Sequence, residues 1–316
     1  MSTLISIVLP CFNEEKNIPV IYSQIINVFN KLNKNNKKKY SYEIIFIDNS
    51  SDDLSRKIIR DLCNIDHGVK AIFNTRNFGY IKSPYYGLLN TSGDASVLMC
   101  SDLQEPPHLI KNFIHAWESG SKIVMAVKSK SDQNPIMNFL KRRYYNFLAK
   151  YSECAPIPNT TGFGLYDKSI IDILKKLKDP YPFLRGVLTM IGHPIKLIKF
   201  EYSPRNFGLS KSKLSVLYDY MFLGLITHTR LPLRLIFLSG LFIFISSMLA
   251  GFILILLKIF FWDSFFLGYI PIIVSILFFA GIQMLFIGII GEYLSYLISK
   301  SSRMPLVVEL ERINFD

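Results

Sequence analysis

The sequence predicts an α/β domain with a mostly parallel, Rossmann-like sheet, followed by an interfacial helix and a two-helix transmembrane hairpin. Within the first 130 residues, short apolar runs alternate with segments of helical periodicity, which is the pattern of a parallel sheet covered on both faces. Residues 235–257 and 264–291 contain no charged residue. About 20 apolar residues suffice to cross a bilayer, so both stretches are long enough to span one.

The individual elements follow from apolar runs and helical spacing. The polar, basic tract at residues 33–39 is interpreted as a loop, and Ser51 is predicted to cap a helix that ends near residue 65. The predicted strands are 4–9, 43–47, 69–73, 95–99 and 122–127, with extended segments at 162–166 and 195–202. The other predicted helices are 14–32, 80–90, 136–151 and 168–177, with one more between the strands at 95–99 and 122–127.

The membrane segments set the predicted domain boundaries. The apolar stripe at 212–226 suits a helix in the membrane interface, or one packed on the globular domain. The predicted division is a globular domain at 1–210, an interfacial region at 211–232, a hairpin at 233–292 (spans about 235–257 and 266–291) and a juxtamembrane tail at 293–316. The cations that flank the spans place the globular domain and both termini on the cytoplasmic side: Arg230, Arg234, Lys300 and Arg303.

The composition of the chain indicates which kinds of ligand and partner it can bind. Half of the 316 residues are hydrophobic, and the formal net charge is +12. A basic excess beside membrane segments favours anionic lipid and other anionic ligands, and no nucleic-acid-binding motif is present. The four cysteines have no CxxC spacing, which argues against a disulfide framework or a zinc ribbon. The N-terminal residues lack the basic and apolar regions of a signal peptide.

Four polar clusters follow the predicted strands at their carboxyl ends. They are residues 10–15 (PCFNEE), 48–50 (DNS), 76–79 (RNFG) and 101–107 (SDLQEPP). Ligands of doubly wound sheets bind where the loops after these strand ends converge. Asp102 and Gln104 supply two oxygen ligands on one such loop, and hard divalent cations prefer oxygen ligands. The sequence therefore predicts a metal-assisted site for an anionic ligand at this edge.

In this order and spacing, the motifs resemble those of family-2 glycosyltransferases with the GT-A fold. The resemblance is to the polyprenyl-phosphate sugar transferases, such as bactoprenol glucosyltransferases, aminoarabinosyltransferases and dolichol-phosphate mannose synthases. It covers nearly the whole chain, through LPCFNEEKNI, RNFG, TSGDASVLMCSDLQEPP, PRNFGLSKSKL and GEYLSYLISKSSRMPL. It implies inverting sugar transfer from a nucleotide-sugar donor to an undecaprenyl-type phosphate at the cytoplasmic membrane, for cell-surface polysaccharide modification, and makes a homo-oligomer plausible.

The resemblance also implies roles for single residues. Asp102 and Gln104 would hold Mg²⁺ or Mn²⁺, and Asp102 and Arg76 would form the catalytic set. The nucleotide would be held by Pro10, Asn13, Glu14, Asp48 and Asn49. The acceptor phosphate would be held by Arg205, Ser210 and Lys211.

Three positions depart from the pattern of these relatives. Asn49, Cys100 and Gly162 stand where the relatives usually carry carboxylates. One hypothesis keeps the enzyme active, because a phosphate monoester is largely dianionic at neutral pH and needs no strong general base. Under that hypothesis Asn49 could alter base recognition, for example towards a cytidine nucleotide. The alternative hypotheses are a catalytically degenerate scaffold that binds lipid phosphate and, less compatible with two spans, a lipid flippase.

Overall fold

The computed structural model describes residues 2–35, 40–129, 157–177, 179, 182–201, 231–260, 269–301 and 305–315, with a few helical positions between 139 and 150. The strands are β1 (Thr3–Cys11), β2 (Tyr40–Asp48), β3 (Val69–Asn74), β4 (Ala95–Leu98), β5 (Ile123–Lys128), β6 (Thr160–Asp167), β7 (Ile195–Phe200) and β8 (Glu309–Ile313). The helices are α1 (Ile18–Asn35), α2 (Ser55–Ile65), α3 (Gly79–Leu89), α4 (Leu109–Glu118), α5 (Lys168–Leu177), α6 (Leu184–Met190), α7 (Leu231–Phe260) and α8 (Tyr269–Ser301).

The strands form one eight-stranded sheet in the order β7-β5-β6-β4-β1-β2-β3-β8. The neighbours β1–β2, β1–β4, β2–β3 and β5–β7 pair in parallel. Strand β6 is antiparallel to both β4 and β5, and β8 is antiparallel to β3. The predicted α/β class with a mostly parallel sheet is confirmed.

The central strands of the sheet are buried on both faces, as their near-continuous apolar sequences predict. Along β1, Ile5, Ile7 and Leu9 point into a core that also contains buried side chains of α1, α2 and α4. Val8 points to the other face, where it packs with buried residues of α3 and α5. This two-sided burial leaves the carboxyl ends of the central strands as the edge where polar loops can gather.

Strand β8 was not predicted from the sequence. It pairs along β3 and follows the long apolar helix α8 in the chain. Asn314 donates two hydrogen bonds from Nδ2, to the carbonyls of Cys63 and Val69 at 2.9 and 2.8 Å, and Arg60 forms an ion pair with Glu311. These contacts attach β8 to the sheet. The chain divides into a globular unit (Met1–Gly224 with Ser302–Asp316), which includes β8, and a helical unit (Leu225–Ser301).

The helical unit contains the two long apolar helices α7 and α8, which contact each other. In the part of the chain that the structure describes, Phe278–Ser295 in α8 is the one stretch long and apolar enough to cross a membrane. The two-helix transmembrane hairpin therefore stays a prediction. The predicted interfacial helix at 212–226 lies outside the described residues, as does most of the predicted helix at 136–151.

Two local predictions were wrong. Ser51 does not cap α2, because α2 begins four residues later, after Leu54, and the Ser51 hydroxyl instead accepts a hydrogen bond from the Asn13 amide at 2.9 Å. The tract predicted as a loop from residue 33 begins inside α1, which continues to Asn35. The Asn33 side chain exchanges two hydrogen bonds with the backbone of Tyr40, so it ties the end of α1 to the start of β2.

Glu43 in β2 is a buried carboxylate whose partners stabilise its charge. It accepts hydrogen bonds from Ser6 Oγ at 2.5 Å and from Ser92 N and Oγ at 2.7 and 2.6 Å, and it pairs with Lys70 Nζ at 2.8 Å. Burial by itself raises the pKa of Glu43, but the hydrogen bonds from Lys70, Ser6 and Ser92 together bring it below its ordinary value.

We expect Glu43→Gln to lower the free energy of unfolding by about 2–4 kcal/mol, because it leaves the Lys70 ammonium without its carboxylate. Since the folded-state pKa of Glu43 is depressed, its stabilisation is present above the unfolded-state pKa and is lost as the pH falls through the folded-state pKa. Melting temperatures of both proteins in detergent should therefore converge on acidification. A gap that stays constant between pH 7 and pH 3 would contradict this assignment.

Candidate active site

The four polar clusters predicted from the sequence meet at one edge of the sheet. The register aligns the last residues of the parallel strands, with Cys11 opposite Asp48 and Asp48 opposite Phe73. Hydrogen bonds join the loop after β1 to the loop after β2, the end of β1 to the loop after β4, and the loop after β2 to the loop after β3. The sequence-predicted clusters therefore form one connected assembly.

The loops after β1 and β2 are joined through Asn13. Its backbone amide donates to Ser51 Oγ, and its Oδ1 accepts from the Asp52 amide, both at 2.9 Å. Asn13 adopts a φ of +57°, a conformation that asparagine tolerates better than most residues. Glu14 is buried, its amide donates to Ser55 Oγ at 2.9 Å, and its carboxylate accepts from Asn17 at 2.5 Å. Both predicted nucleotide ligands thus also shape the loop that carries them.

Asp48 is fully buried at the end of β2. Its carboxylate accepts a hydrogen bond from Arg56 Nε at 2.8 Å and from the Ser51 amide at 3.1 Å. Arg56 also donates to the carbonyl of Asn74 at 2.9 Å, which connects α2 to the end of β3. Sequence reasoning missed Arg56, although a cation eight residues after a strand-end aspartate, in the first turn of the next helix, is a signal that could have identified it.

Asn49 joins the loop after β2 to the RNFG segment. Its Oδ1 accepts from the Phe78 amide at 2.9 Å and from Asn74 Nδ2 at 3.1 Å, and its Nδ2 donates to the Gly79 carbonyl at 3.2 Å. Arg76 is exposed, and its guanidinium lies 4.2 Å from the centre of the Phe78 ring. Asn49 therefore organises the segment that presents Arg76, and its role toward a nucleobase stays a prediction.

Asn49→Asp is expected to lower the free energy of unfolding by about 1–3 kcal/mol, because the substituted carboxylate cannot donate to the Gly79 carbonyl. Asn77→Asp is the matched control in the same segment. Asn77 uses its Oδ1 to accept from the Gly79 amide at 2.8 Å, a role that aspartate keeps. Thermal unfolding of both variants checks this difference, and equal losses of stability would contradict the assigned role of Asn49.

The loop after β4 carries the predicted metal ligands. Asp102 and Gln104 are partly exposed, and Asp102 Oδ1 accepts from the Gln104 amide at 3.2 Å. Ser101 Oγ donates to the carbonyl of Pro10 at 2.6 Å, which joins this loop to the end of β1. Within the described parts of the chain, no group of three or more His, Cys, Asp or Glu residues is arranged for a metal. Two hard oxygen donors on one loop fit a divalent cation that takes its other ligands from substrate and water.

Glu105, directly after this loop, is a site residue that the sequence analysis missed. It is 2% exposed, and its carboxylate accepts from the Cys100 amide at 2.7 Å and from Thr161 Oγ1 at 2.6 Å. Burial raises the pKa of Glu105 to about 7, against the opposing effect of these two hydrogen bonds. The signal in the sequence was a carboxylate inside the SDLQEPP cluster that had no assigned role.

The ends of β1, β4 and β6 border a cavity in the globular unit. Its polar edge includes Cys100, Glu105, Thr161 and Arg185, and Arg185 also donates to the carbonyl of Thr160 at 2.7 Å. The remaining lining residues are mostly apolar: Pro10, Tyr80, Ile81, Pro84, Tyr85, Leu98, Met99, Gly162, Phe163, Pro182, Phe183 and Leu184. A cavity with apolar walls and a few convergent polar groups has the character of a ligand site.

Gly162, one of the three positions predicted to depart from the pattern of the resembled family, lies in the wall of this cavity. Its φ of +95° lies in the region that favours glycine, whereas a Cβ there would meet only ordinary contacts with Leu98 and Leu184 at 3.8 and 3.9 Å. The backbone conformation, rather than crowding, therefore opposes a carboxylate at this position. The predicted acceptor-phosphate residues Arg205, Ser210 and Lys211 lie outside the described residues.

The comparisons with known proteins agree with this geometry. The family model described as glycosyl transferase family 2 matches residues 6–173, which include all four polar clusters and most of the sheet. The chain belongs to glycosyltransferase family 2. Its α/β fold is accordingly GT-A-like, as the sequence motifs implied.

Relatives of this family-2 glycosyltransferase match nearly end to end. The bactoprenol glucosyl transferase of Shigella phage SfV is 32% identical over 302 residues, which cover 95% of this chain and 96% of the phage protein. The uncharacterized glycosyltransferase YkcC of Bacillus subtilis is 32% identical over 308 residues, covering 96% and 92% respectively. The resemblance to bactoprenol glucosyltransferases that the motifs indicated is confirmed.

Proposed function

We propose that this family-2 glycosyltransferase moves a sugar from a nucleotide-sugar donor to a polyprenyl phosphate at the cytoplasmic face of a membrane. The main support is the connected site, in which hydrogen bonds hold the Asp102–Gln104 loop against β1 at Pro10 and against β6 at Thr161. Bactoprenol glucosyl transferases among its relatives support the lipid acceptor. The apolar helices α7 and α8, interpreted as a transmembrane hairpin, would anchor the protein in the membrane that contains such a lipid.

The chemistry requires one bond to form as another breaks. An oxygen of the acceptor phosphate attacks the anomeric carbon, and the bond from that carbon to the β-phosphate oxygen of the donor breaks on the opposite face, so the anomeric configuration inverts. Because the acceptor phosphate is largely dianionic at neutral pH, no proton has to leave it during attack. This accounts for transfer without an aspartate at Gly162.

The leaving nucleoside diphosphate needs its charge neutralised. A divalent cation, Mg²⁺ or Mn²⁺, supplies this as a Lewis acid when bound. Asp102 and Gln104 would hold it, and Arg76 at the RNFG segment would add a positive charge near the donor phosphates. Asn13, Glu14, Asp48 and Asn49 border the adjoining nucleotide site. Arg205, Ser210 and Lys211 would hold the acceptor phosphate through charge-assisted hydrogen bonds.

A transfer assay with a donor panel tests this function. Purified full-length protein is incubated with polyprenyl phosphate, Mg²⁺ or Mn²⁺, and radiolabelled UDP-, CDP- or GDP-sugars, and labelled lipid is extracted. We expect labelled lipid with one class of donor, and a clear UDP preference would dispose of the cytidine hypothesis raised by Asn49. Lipid binding without product from any donor would support the scaffold hypothesis instead.

The acceptor assignment has its own matched control. Arg205→Ala and Lys211→Ala are expected to raise the KM for polyprenyl phosphate about tenfold or more, whereas Lys213→Ala, which removes a neighbouring cation with no assigned role, should change it little. An equal effect of all three substitutions would contradict a specific phosphate site. Protease protection of the globular unit in intact cells, lost on lysis, would support the cytoplasmic placement.

A further inference from the structure

A single buried carboxylate connects the metal-ligand loop to the start of β6. One oxygen of Glu105 accepts from the Cys100 amide at 2.7 Å, at the beginning of the loop, and the other accepts from Thr161 Oγ1 at 2.6 Å, on β6. Burying a carboxylate costs free energy unless hydrogen bonds compensate, so an apolar side chain would fill this space more favourably. The two hydrogen bonds of Glu105 therefore indicate a role in holding the two segments together.

We propose that Glu105 is a positioning residue, which fixes the loop at residues 100–104 so that Asp102 and Gln104 can jointly hold the cation bound to the donor diphosphate. The inference rests on the proposed function, and it adds a residue to which neither the sequence motifs nor the relatives' names assign a role. Since both of its oxygens already accept a hydrogen bond from the protein, the geometry suits a positioning role better than that of a third cation ligand.

The loop needs anchors from outside itself. Leu103, between the two proposed ligands, has a φ of +61°, which is unfavourable for a residue with a branched side chain and persists only where the surroundings enforce it. Within the loop, the Gln104 amide donates to Asp102 Oδ1, and this hydrogen bond uses the proposed metal ligand itself. Two contacts with groups outside residues 102–104 anchor the loop: Ser101 donates to the Pro10 carbonyl, and Glu105 accepts from the Cys100 amide.

The other end of the connection is rigid enough to serve as a support. Tyr166 donates its hydroxyl to the Gly162 carbonyl at 2.6 Å, and Arg185 donates to the Thr160 carbonyl at 2.7 Å. Both residues adjoining Thr161 thus have their carbonyls held by side chains. Glu105 transmits this support to the loop, in the way that outer-shell hydrogen bonds orient the ligands of a metal.

The test measures cation binding directly. Calorimetry on full-length protein in detergent measures the affinity for Mn²⁺ in the presence of UDP, and again in the presence of CDP or GDP. A second set of titrations measures the affinity for each nucleotide without metal. We expect Glu105→Ala and Thr161→Val to weaken Mn²⁺ binding about tenfold or more. Metal-free nucleotide affinity should be unchanged. Thr161→Ser keeps the hydroxyl and should retain the wild-type affinity to within about twofold.

Glu105→Gln separates positioning from folding. Glutamine can accept from the Cys100 amide with its oxygen and donate to the Thr161 hydroxyl with its NH₂ group, so it should fold and should restore most of the Mn²⁺ affinity lost in Glu105→Ala. Mn²⁺ affinities unchanged in both Glu105→Ala and Thr161→Val would overturn the proposal, as would a wild-type protein that binds no Mn²⁺ with any of the nucleotides. A third outcome is that the wild-type protein binds Mn²⁺, Thr161→Val weakens that binding, and no donor in the transfer assay gives labelled lipid. This outcome would support the positioning role of Glu105 and overturn the proposed sugar transfer.

Discussion

Asp102→Asn is expected to lower kcat/KM for sugar transfer by about 10²- to 10³-fold. Asp102 is the proposed cation ligand and the one partly exposed carboxylate on the loop after β4, since Glu105 on the same segment is buried and accepts hydrogen bonds on both oxygens. Losing it removes about 3–4 kcal/mol of stabilisation of the charge that develops on the leaving diphosphate. Asparagine keeps an oxygen that can accept from the Gln104 amide, so the loop should retain its shape.

Initial rates at several concentrations of Mn²⁺ check this expectation. An excess of Mn²⁺ should recover part of the activity if the loss is in metal affinity. Asp61→Asn is the matched control, because Asp61 is an exposed carboxylate on α2. It should leave the rate unchanged. Activity of Asp102→Asn within about threefold of the wild type would remove Asp102 from the metal site.

Removing residues 305–316 is expected to prevent the globular unit from reaching a stable fold. The deletion strips β8 from β3, which leaves the edge of β3 open, and it removes the Asn314 side chain from two backbone carbonyls. An open edge on this mostly buried strand also promotes aggregation. Size-exclusion chromatography and limited proteolysis should show aggregated or rapidly degraded protein. A monodisperse, protease-resistant product would contradict a structural role for β8.

Two neighbouring valines refine this test. Val307 is 4% exposed and Val308 is 46% exposed, so the same substitution can be compared at a buried and at an exposed position that are adjacent in the chain. We expect Val307→Ala to lower the free energy of unfolding by about 1–3 kcal/mol, and Val308→Ala by less than about 0.5 kcal/mol. The Thr75 contacts to the Val308 carbonyl survive both substitutions, because they involve the backbone. Equal shifts in melting temperature would show that the segment does not pack as described.

The sequence predicted the central strands well because their signal is local. Apolar runs such as Leu4 to Leu9 are buried on both faces, and polar loops follow each run at its carboxyl end, so composition and order together specify the edge where the site forms. Strand β8 escaped prediction because Glu309–Ile313 has only two apolar residues in five positions, and its partner β3 lies over 200 residues earlier in the chain. Pairing over that distance leaves no local pattern.

The same contrast holds within the site. Asp102 and Gln104 were identified through a motif, whereas Arg56 and Glu105 act through contacts that depend on the folded geometry. Arg56 reaches Asp48 across the start of α2, and Glu105 reaches Thr161 in a strand 56 residues further along. Ser51 is the reverse case, in which a local signal predicted a role that the fold does not use. Serine is a good capping residue and was predicted to cap α2, but its hydroxyl accepts a hydrogen bond from the Asn13 amide in the neighbouring loop.

The position of β8 in the chain also orders the events of synthesis. A ribosome completes β1 to β7 and both long apolar helices before it reaches Glu309. Until then, the hydrogen-bonding groups along the free side of β3 have no strand to pair with. The globular unit therefore stays incomplete throughout the synthesis of α7 and α8, and its sheet is finished only once Glu309–Ile313 has been made.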